Sequence, residues 1–289
     1  MLAEQTPALV ALDIDGTLAV LGTAQISDVV RAAVARALAA GHHVVLASGR
    51  SLPGVLSAAD ALGLTSGWLV ASNGALTASL DPVAPGGYVL GEVRAFDPEP
   101  AVALVRSILP DVGIAAERAE RGYDVTHQGF FAPDEAAGVQ LVVPLDEVRN
   151  RPTPRLVLRA PGAHRLMAPL RAAGFTVTPV YPDWVEATAP GLSKAAALEK
   201  VRADLGVPRA RTVAVGDGLN DLEMLRWAAK GVAMGHASAV VREAADEVTG
   251  TLGEDGAAVV LDALAAGWDE CGDTGSNERP EGDRHADRA

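Results

Sequence analysis

The apolar run ALVALDIDGTL, residues 8–18, ends by placing Asp13 and Asp15 one residue apart. Like charges this close repel, and burying them without a partner is costly. Either the pair hangs into water at a turn, or a cation and an anionic ligand hold it together. Three other apolar runs end in polar residues: HVVLASGR in Ser48, WLVASNGA in Asn73 and TVAVGDG in Asp217. In a parallel sheet all C-terminal strand ends share one edge, where ligands bind. Each residue alone is ordinary turn or cap chemistry. Four such ends on one edge predict a site.

Lys194 adds a cation. The chain has only three lysines among its 24 basic residues, so arginine is its default positive charge. Lys230 is expected in the last turn of a helix before Gly231, where a cation complements the dipole, and Lys200 on a solvated helix face. Lys194 opens a helix, where a cation is unfavourable unless something anionic is near. A compact ammonium at a helix N-terminus suits a phosphate. GDGLND, residues 216–221, supplies Asp217, Asn220 and Asp221 at another helix entry. Carboxylates facing Asp13 and Asp15 form a cluster that needs a divalent cation. A donor set of oxygens without a His/Cys group favours Mg²⁺ over zinc. His42 and His43, at the far end of a strand, are expected at the surface, and His236 in a structural loop role.

These residues need a frame. Strand and helix signals alternate over the first 80 residues, with Ser27 as N-cap and Gly41 after the C-cap of one helix, and a second helix over 53–62 before Gly63. Short apolar runs without alternation fit strands covered on both faces. The order predicts βαβαβ and a doubly wound α/β fold with a parallel sheet. From residue 82 Pro, Gly and Arg become frequent. Helical stretches near 98–109 and 163–173 stand among strands such as RLVLRA and GFTVTPV. The rhythm then resumes with a helix over 193–205, TVAVGDG, a helix over 219–230, GVAM and helices to about 266. The expected division is core 1–81, an inserted α+β cap 82–189, core 190–266, and a disordered acidic tail 267–289.

Composition narrows the partners. The 289 residues carry a net charge of −13, with 49% apolar residues and only 4% aromatic. No segment is basic, which argues against nucleic acid. The single cysteine, Cys271, excludes an internal disulfide framework or a cysteine metal cluster. The N-terminus does not read as a signal peptide, and no apolar run approaches the ~18 residues that span a bilayer. These features predict a cytoplasmic protein without a membrane partner, a monomer or weak homodimer.

DIDGTL, ASGR, SNGA, GLSK and GDGLND, in this order, resemble the motifs of the haloacid dehalogenase superfamily, in particular its Cof-like phosphatases with a large α/β cap. Ala195 stands where glycine commonly follows the lysine, and His236 where asparagine is common. The resemblance implies a Mg²⁺-dependent phosphatase of small phosphorylated metabolites such as sugar phosphates, working through an aspartyl-phosphate. It makes Asp13 the nucleophile and Asp15 the general acid and base. Mg²⁺ falls to the Asp13 carboxylate, the Asp15 backbone carbonyl and Asp217. Ser48, Lys194 and Asn220 bind phosphoryl oxygens, and Asp221 holds Lys194 or metal waters. Gly16 and Thr17 lie in the nucleophile loop, and Arg50 and Asn73 at the cap-facing rim. The alternatives are a sugar phosphomutase on the same scaffold and a non-catalytic phosphate sensor. The cap loop RNRPTPR is open to two readings, a solvated loop or a contact to the leaving group.

Overall fold

The computed structural model describes residues 6–132 and 138–267. The chain opens with β1 (Leu9–Leu12), α1 (Asp28–Ala39), β2 (His43–Ala47), α2 (Leu52–Ala61) and β3 (Gly67–Ala71). Ser27 caps α1 by accepting from Val30 N, and Gly41 and Gly63 take left-handed conformations just past the two helices. β1 pairs in parallel with β2, and β2 with β3. The predicted βαβαβ unit is therefore present.

The next step differs from the expected boundary. β4 (Leu76–Leu80) and β5 (Tyr88–Val93) form an antiparallel hairpin that extends the same sheet. The DPVAPGG segment closes that hairpin, with Asp81 N donating to Gly87 O at 2.9 Å and both Gly86 and Gly87 at positive φ. The first core segment therefore runs beyond Asp81–Pro82, and the chain leaves the first sheet only after Val93. A turn signal at a sheet edge looks the same in sequence whether the chain returns or departs.

The insertion contains α3 (Glu99–Ile108), β6 (Gly113–Arg118), β7 (Gly122–Val125), β8 (Val139–Val142), α4 (Leu145–Arg149), β9 (Arg155–Arg159), α5 (Met167–Ala172), β10 (Thr176–Tyr181) and β11 (Trp184–Thr188). Its strands form a six-stranded sheet in the order β10-β11-β9-β6-β7-β8. Side chains alternate between the two faces of a strand. Ile114, Leu156, Leu158, Val185 and Ala187 face one core together with α3 and α5. The intervening residues, including Glu117, Tyr123, Arg155, Trp184 and Glu186, lie on the other face, toward the first sheet.

The chain returns through α6 (Lys194–Asp204), β12 (Thr212–Gly216), α7 (Leu222–Trp227), β13 (Lys230–Ala233), α8 (Ala239–Ala244), β14 (Glu247–Val248) and α9 (Gly256–Gly267). The first sheet has the order β14-β13-β12-β1-β2-β3-β4-β5, with β1 at its middle. α1, α2 and α9 cover one face and α6, α7 and α8 the other. This is a doubly wound α/β core with a second, mixed sheet.

Two smaller expectations change. Lys230 opens β13 and pairs with Glu247 at 2.6 Å, so it does not cap a helix. His42 is buried, not at the surface. Its Nδ1 accepts from Ala8 N, and its Nε2 lies 3.1 Å from Leu264 O, tying β1 to α9. The acidic segment after Gly267 lies outside the described residues.

Candidate active site

β1, β2, β3 and β12 deliver Asp13/Asp15, Ser48, Asn73 and Asp217 to the C-terminal edge of the first sheet. Lys194 is fully buried between Asp13 Oδ1 and Asp221 Oδ1, at 2.6 Å from each. Ser193 caps α6 through Ala196 N, which fixes where the lysine leaves the helix. Asp221 is also fully buried, and its other oxygen accepts from the backbone N–H groups of Asp217 and Gly218. Both Asp221 oxygens are thus taken, and this carboxylate anchors the lysine and the loop. Thr17 Oγ1 donates to Asp217 Oδ1 at 3.2 Å. Gly16 has φ +81°, and a Cβ there would lie 2.3 Å from Asp217 Oδ2, so only glycine fits between the two loops.

Burial, then the charge of Asp221 and more weakly that of Asp217, push the Asp13 carboxyl well above its usual range, against the pull of Lys194. Burial and Asp221 likewise raise Asp217. Lys194 is raised on balance, because Asp13 and Asp221 outweigh the burial that pulls it down. Oxygen atoms of Asp13, Asp217 and Asp221 come within 4.8 Å of one another. Three carboxylates around one ammonium leave an uncompensated negative charge, and their oxygens are the donors that come together there. That charge and donor set fit a hard divalent cation. With both Asp221 oxygens committed, Asp13 and Asp217 are the carboxylates open to it.

Asp15 is turned away from this cluster. Its oxygens accept from Arg50 Nε at 2.8 Å and Nη2 at 2.7 Å, and from Gly22 N at 2.8 Å. Arg50 also donates to Thr23 O. Ser48 is buried, with its hydroxyl accepting from Arg50 N, and it is absent from the lining of the cavity above the site. Asn220 Nδ2 donates to Asn73 Oδ1 at 3.0 Å, and Asn73 Nδ2 to Glu186 at 3.3 Å. Ser72 and Asn73 both hold left-handed φ, which aims these side chains across the sheet edge. His236 accepts from Leu252 N, the predicted loop role, and its Nε2 is 3.6 Å from Asp217.

The insertion contributes Glu117, Tyr123 and Glu186, which no motif announced, and Arg155, the last residue of the RNRPTPR loop. Arg155 is fully buried, donates to Glu117 at 2.9 Å and Glu186 at 3.0 Å, and also bonds Tyr123 OH and Gly49 O. Glu117 accepts from Ser72 Oγ at 2.7 Å. Both sheets therefore enclose a cavity of about 400 Å³ with Asp13, Asp15, Asp217 and Asn220 on one side and Tyr123, Arg155 and Glu186 on the other. Of the RNRPTPR arginines, only Arg155 reaches it. Arg149 pairs with Glu99 and Arg151 with Asp124.

A sequence profile of the haloacid dehalogenase-like hydrolases matches residues 10–86 and 165–261, which hold most of the first sheet and its helices and the last part of the insertion. The chain belongs to this family. It is 32% identical over 259 residues, 88% of this chain and 96% of the relative, to a phosphoglycolate phosphatase of Natronomonas pharaonis. It is 45% identical over 85 residues to a 5-amino-6-(5-phospho-D-ribitylamino)uracil phosphatase of Bacillus subtilis. That match covers 29% of this chain and 34% of the relative, so the chain spans about a third of that protein's length. Among solved structures, a protein from Bacteroides thetaiotaomicron analysed among haloalkanoate-superfamily phosphatases is 27% identical, with a TM-score of 0.71. The alignment covers 91% of this chain and 96% of that one.

Proposed function

We propose that this protein is a Mg²⁺-dependent phosphatase that hydrolyses small phosphomonoesters through a phosphoaspartyl intermediate on Asp13, with the second sheet as its cap. One observation carries the reading. Asp13 lines the cavity, while Lys194 holds only one of its oxygens and no described residue engages the other. A carboxylate with one oxygen held and one open is a nucleophile that needs no base.

In this reading Asp13 attacks phosphorus, the bond to the leaving oxygen breaks, and Asp15 gives that oxygen a proton. Asp15 then takes a proton from water as the water oxygen attacks phosphorus. The bond to Asp13 breaks and inorganic phosphate leaves. To donate, Asp15 must exchange an Arg50 contact for the leaving oxygen. Two of the three Lys194 N–H donors are used on carboxylates, and the third is assigned to a phosphoryl oxygen, with Asn220, which lines the cavity, as a further donor; the buried Ser48 hydroxyl joins them only by turning toward the cavity. Asp13, Asp217 and the Asp15 carbonyl would hold Mg²⁺, which when bound offsets the carboxylate repulsion and polarises the phosphoryl group. The acidic chain favours small metabolites over nucleic acid as partners. No described helix is long and apolar enough to cross a membrane.

The test is release of inorganic phosphate from a panel of phosphomonoesters with Mg²⁺ and with a chelator. Stoichiometric phosphate that requires Mg²⁺ supports hydrolysis. Isomerised sugar phosphate in its place would assign a mutase.

A further inference from the structure

The cap wall of the cavity holds an uneven share of a scarce residue class. The chain has eleven aromatic residues, and Tyr123, Phe131, Trp184 and Tyr181 all line this one cavity. Their rings form a continuous series. Centroids are 4.6 Å apart for Tyr123 and Phe131, 5.5 Å for Phe131 and Trp184, and 5.6 Å for Trp184 and Tyr181. The first three are buried against one another and form a small core. Tyr181, at the end of the series, is 42% exposed and stands at the open side.

Charge on the same walls is equally selective. Two cations line the cavity, Arg50 and Arg155, against four carboxylates, Asp13, Asp15, Asp217 and Glu186. Arg50 faces both oxygens of Asp15, and its remaining nitrogen, Nη1, is buried without a hydrogen-bond partner among the described residues and out of reach of the cavity. Arg155 is held by Glu117, Glu186, Tyr123 and Gly49 O, which engage all three of its nitrogens. A divalent cation offsets the carboxylates that face the phosphoryl group. In this arrangement both guanidinium charges on the described lining are paired with carboxylates, Arg50 with Asp15 and Arg155 with Glu117 and Glu186. A leaving group that carries a second anion meets Glu186 and aromatic faces instead.

We propose that the leaving-group side of the cavity selects uncharged alcohols with a ring to lie on the aromatic wall and a donor for Glu186, and disfavours leaving groups with a second anion. This rests on the phosphatase reading above. It also separates the chain from what the name of its Natronomonas relative suggests, since glycolate carries a carboxylate.

Two probes share the favoured chemistry. A hexose 6-phosphate offers hydroxyls and a CH face, and a nucleoside 5′-monophosphate offers a planar base. 2-Phosphoglycolate and 3-phosphoglycerate are the anionic arm. Calorimetry on full-length, Mg²⁺-loaded Asp13→Asn protein, which needs no turnover, should show at least one ring phosphate binding tenfold or more tighter than either anionic probe. Wild-type kcat/KM should follow the same order. A hexose preference identifies the hydroxyl contact as dominant, and a nucleotide preference the stacking. Tyr181→Ala should weaken the preferred ring phosphate about three- to tenfold, the size of one aromatic contact, and leave 2-phosphoglycolate unchanged. The proposal is overturned if 2-phosphoglycolate binds as well as both rings, if neither ring binds, or if Tyr181→Ala weakens every probe alike. Phosphate release from p-nitrophenyl phosphate is followed separately. Its absence would sink the phosphatase reading, while the calorimetric ranking would still decide the subsite.

Discussion

Two buried cations each stand between two carboxylates, Lys194 at the start of α6 beside the first sheet and Arg155 in the second sheet, and the two are used differently. Lys194 holds Asp13 and Asp221 and keeps a third donor. Arg155 holds Glu117 and Glu186 and directs its remaining donors to Tyr123 and Gly49 O. A lysine is a point charge that can serve a guest, whereas an arginine fork with every nitrogen engaged is a fixed joint. The one-to-two ratio has a further consequence. In each cluster the cation meets two opposite charges, while each anion meets one cation and at least one like charge. Arg155 is accordingly held far above its usual range despite burial, while burial leaves Glu117 raised in spite of Arg155. Losing the cation strands two buried anions, and losing one anion still leaves a paired cation.

The largest expected effect separates chemistry from folding. Asp13→Asn should lower phosphate release by about 10⁴-fold or more while the metal-free protein melts higher, because a repelled buried carboxyl becomes neutral. Turnover within tenfold of wild type would remove Asp13 as nucleophile. Next, Lys194→Met and Arg155→Met should each destabilise by about 3–5 kcal/mol, the cost of uncompensated buried charge, measured by chemical denaturation without metal. Added Mg²⁺ should recover part of the loss in Lys194→Met only, and equal recovery in both would erase the distinction between the clusters. In a folded Arg155→Met sample, Mg²⁺-dependent hydrolysis of p-nitrophenyl phosphate should fall less than tenfold, and loss as deep as that of Asp13→Asn would make Arg155 part of the chemistry.

The smallest effect tests the balance within the second cluster. The folded pKa of Glu117 is raised above its ordinary 4.5 by burial, against the pull of Arg155. As pH rises through 4.5 the unfolded chain releases this proton first, so the folded state loses stability relative to the unfolded one until the folded pKa is passed. The stability of wild type relative to Glu117→Gln should therefore decline as pH rises from about 4. An advantage that grows with pH would show that Arg155 outweighs burial.

The first cluster was legible because its members sit at a strand end and two helix entries in short local motifs: DIDGTL, GLSK and GDGLND name Asp13, Lys194 and Asp221 directly. The second is drawn from β6, β7, β9 and β11, and each strand gives one or two residues through simple alternation. RLVLRA was readable as a strand, but nothing in it marks Arg155 as facing Glu117 and not solvent. Asp15 was legible in type but not in posture, since its turn toward Arg50 joins residues 35 apart in sequence. Residues 82–93 were assigned to the insertion because Pro and Gly mark a turn without saying where the chain goes next. His42 was misplaced because a histidine at a strand start has the same signature whether or not a distant helix covers it.

Arg155 reaching Gly49 O, Glu117 receiving Ser72 and Glu186 receiving Asn73 also bear on how such a protein can be recombined. The natural unit of exchange is not the insertion alone. A graft that carries a foreign cap onto this core inherits Ser72 and Asn73 without their acceptors and a Gly49 carbonyl without its donor. A graft in the other direction brings a buried arginine and two glutamates to a core with nothing to receive them. Tyr181, at the open end of the aromatic series, lies outside this interlock and is the place where specificity can drift one substitution at a time.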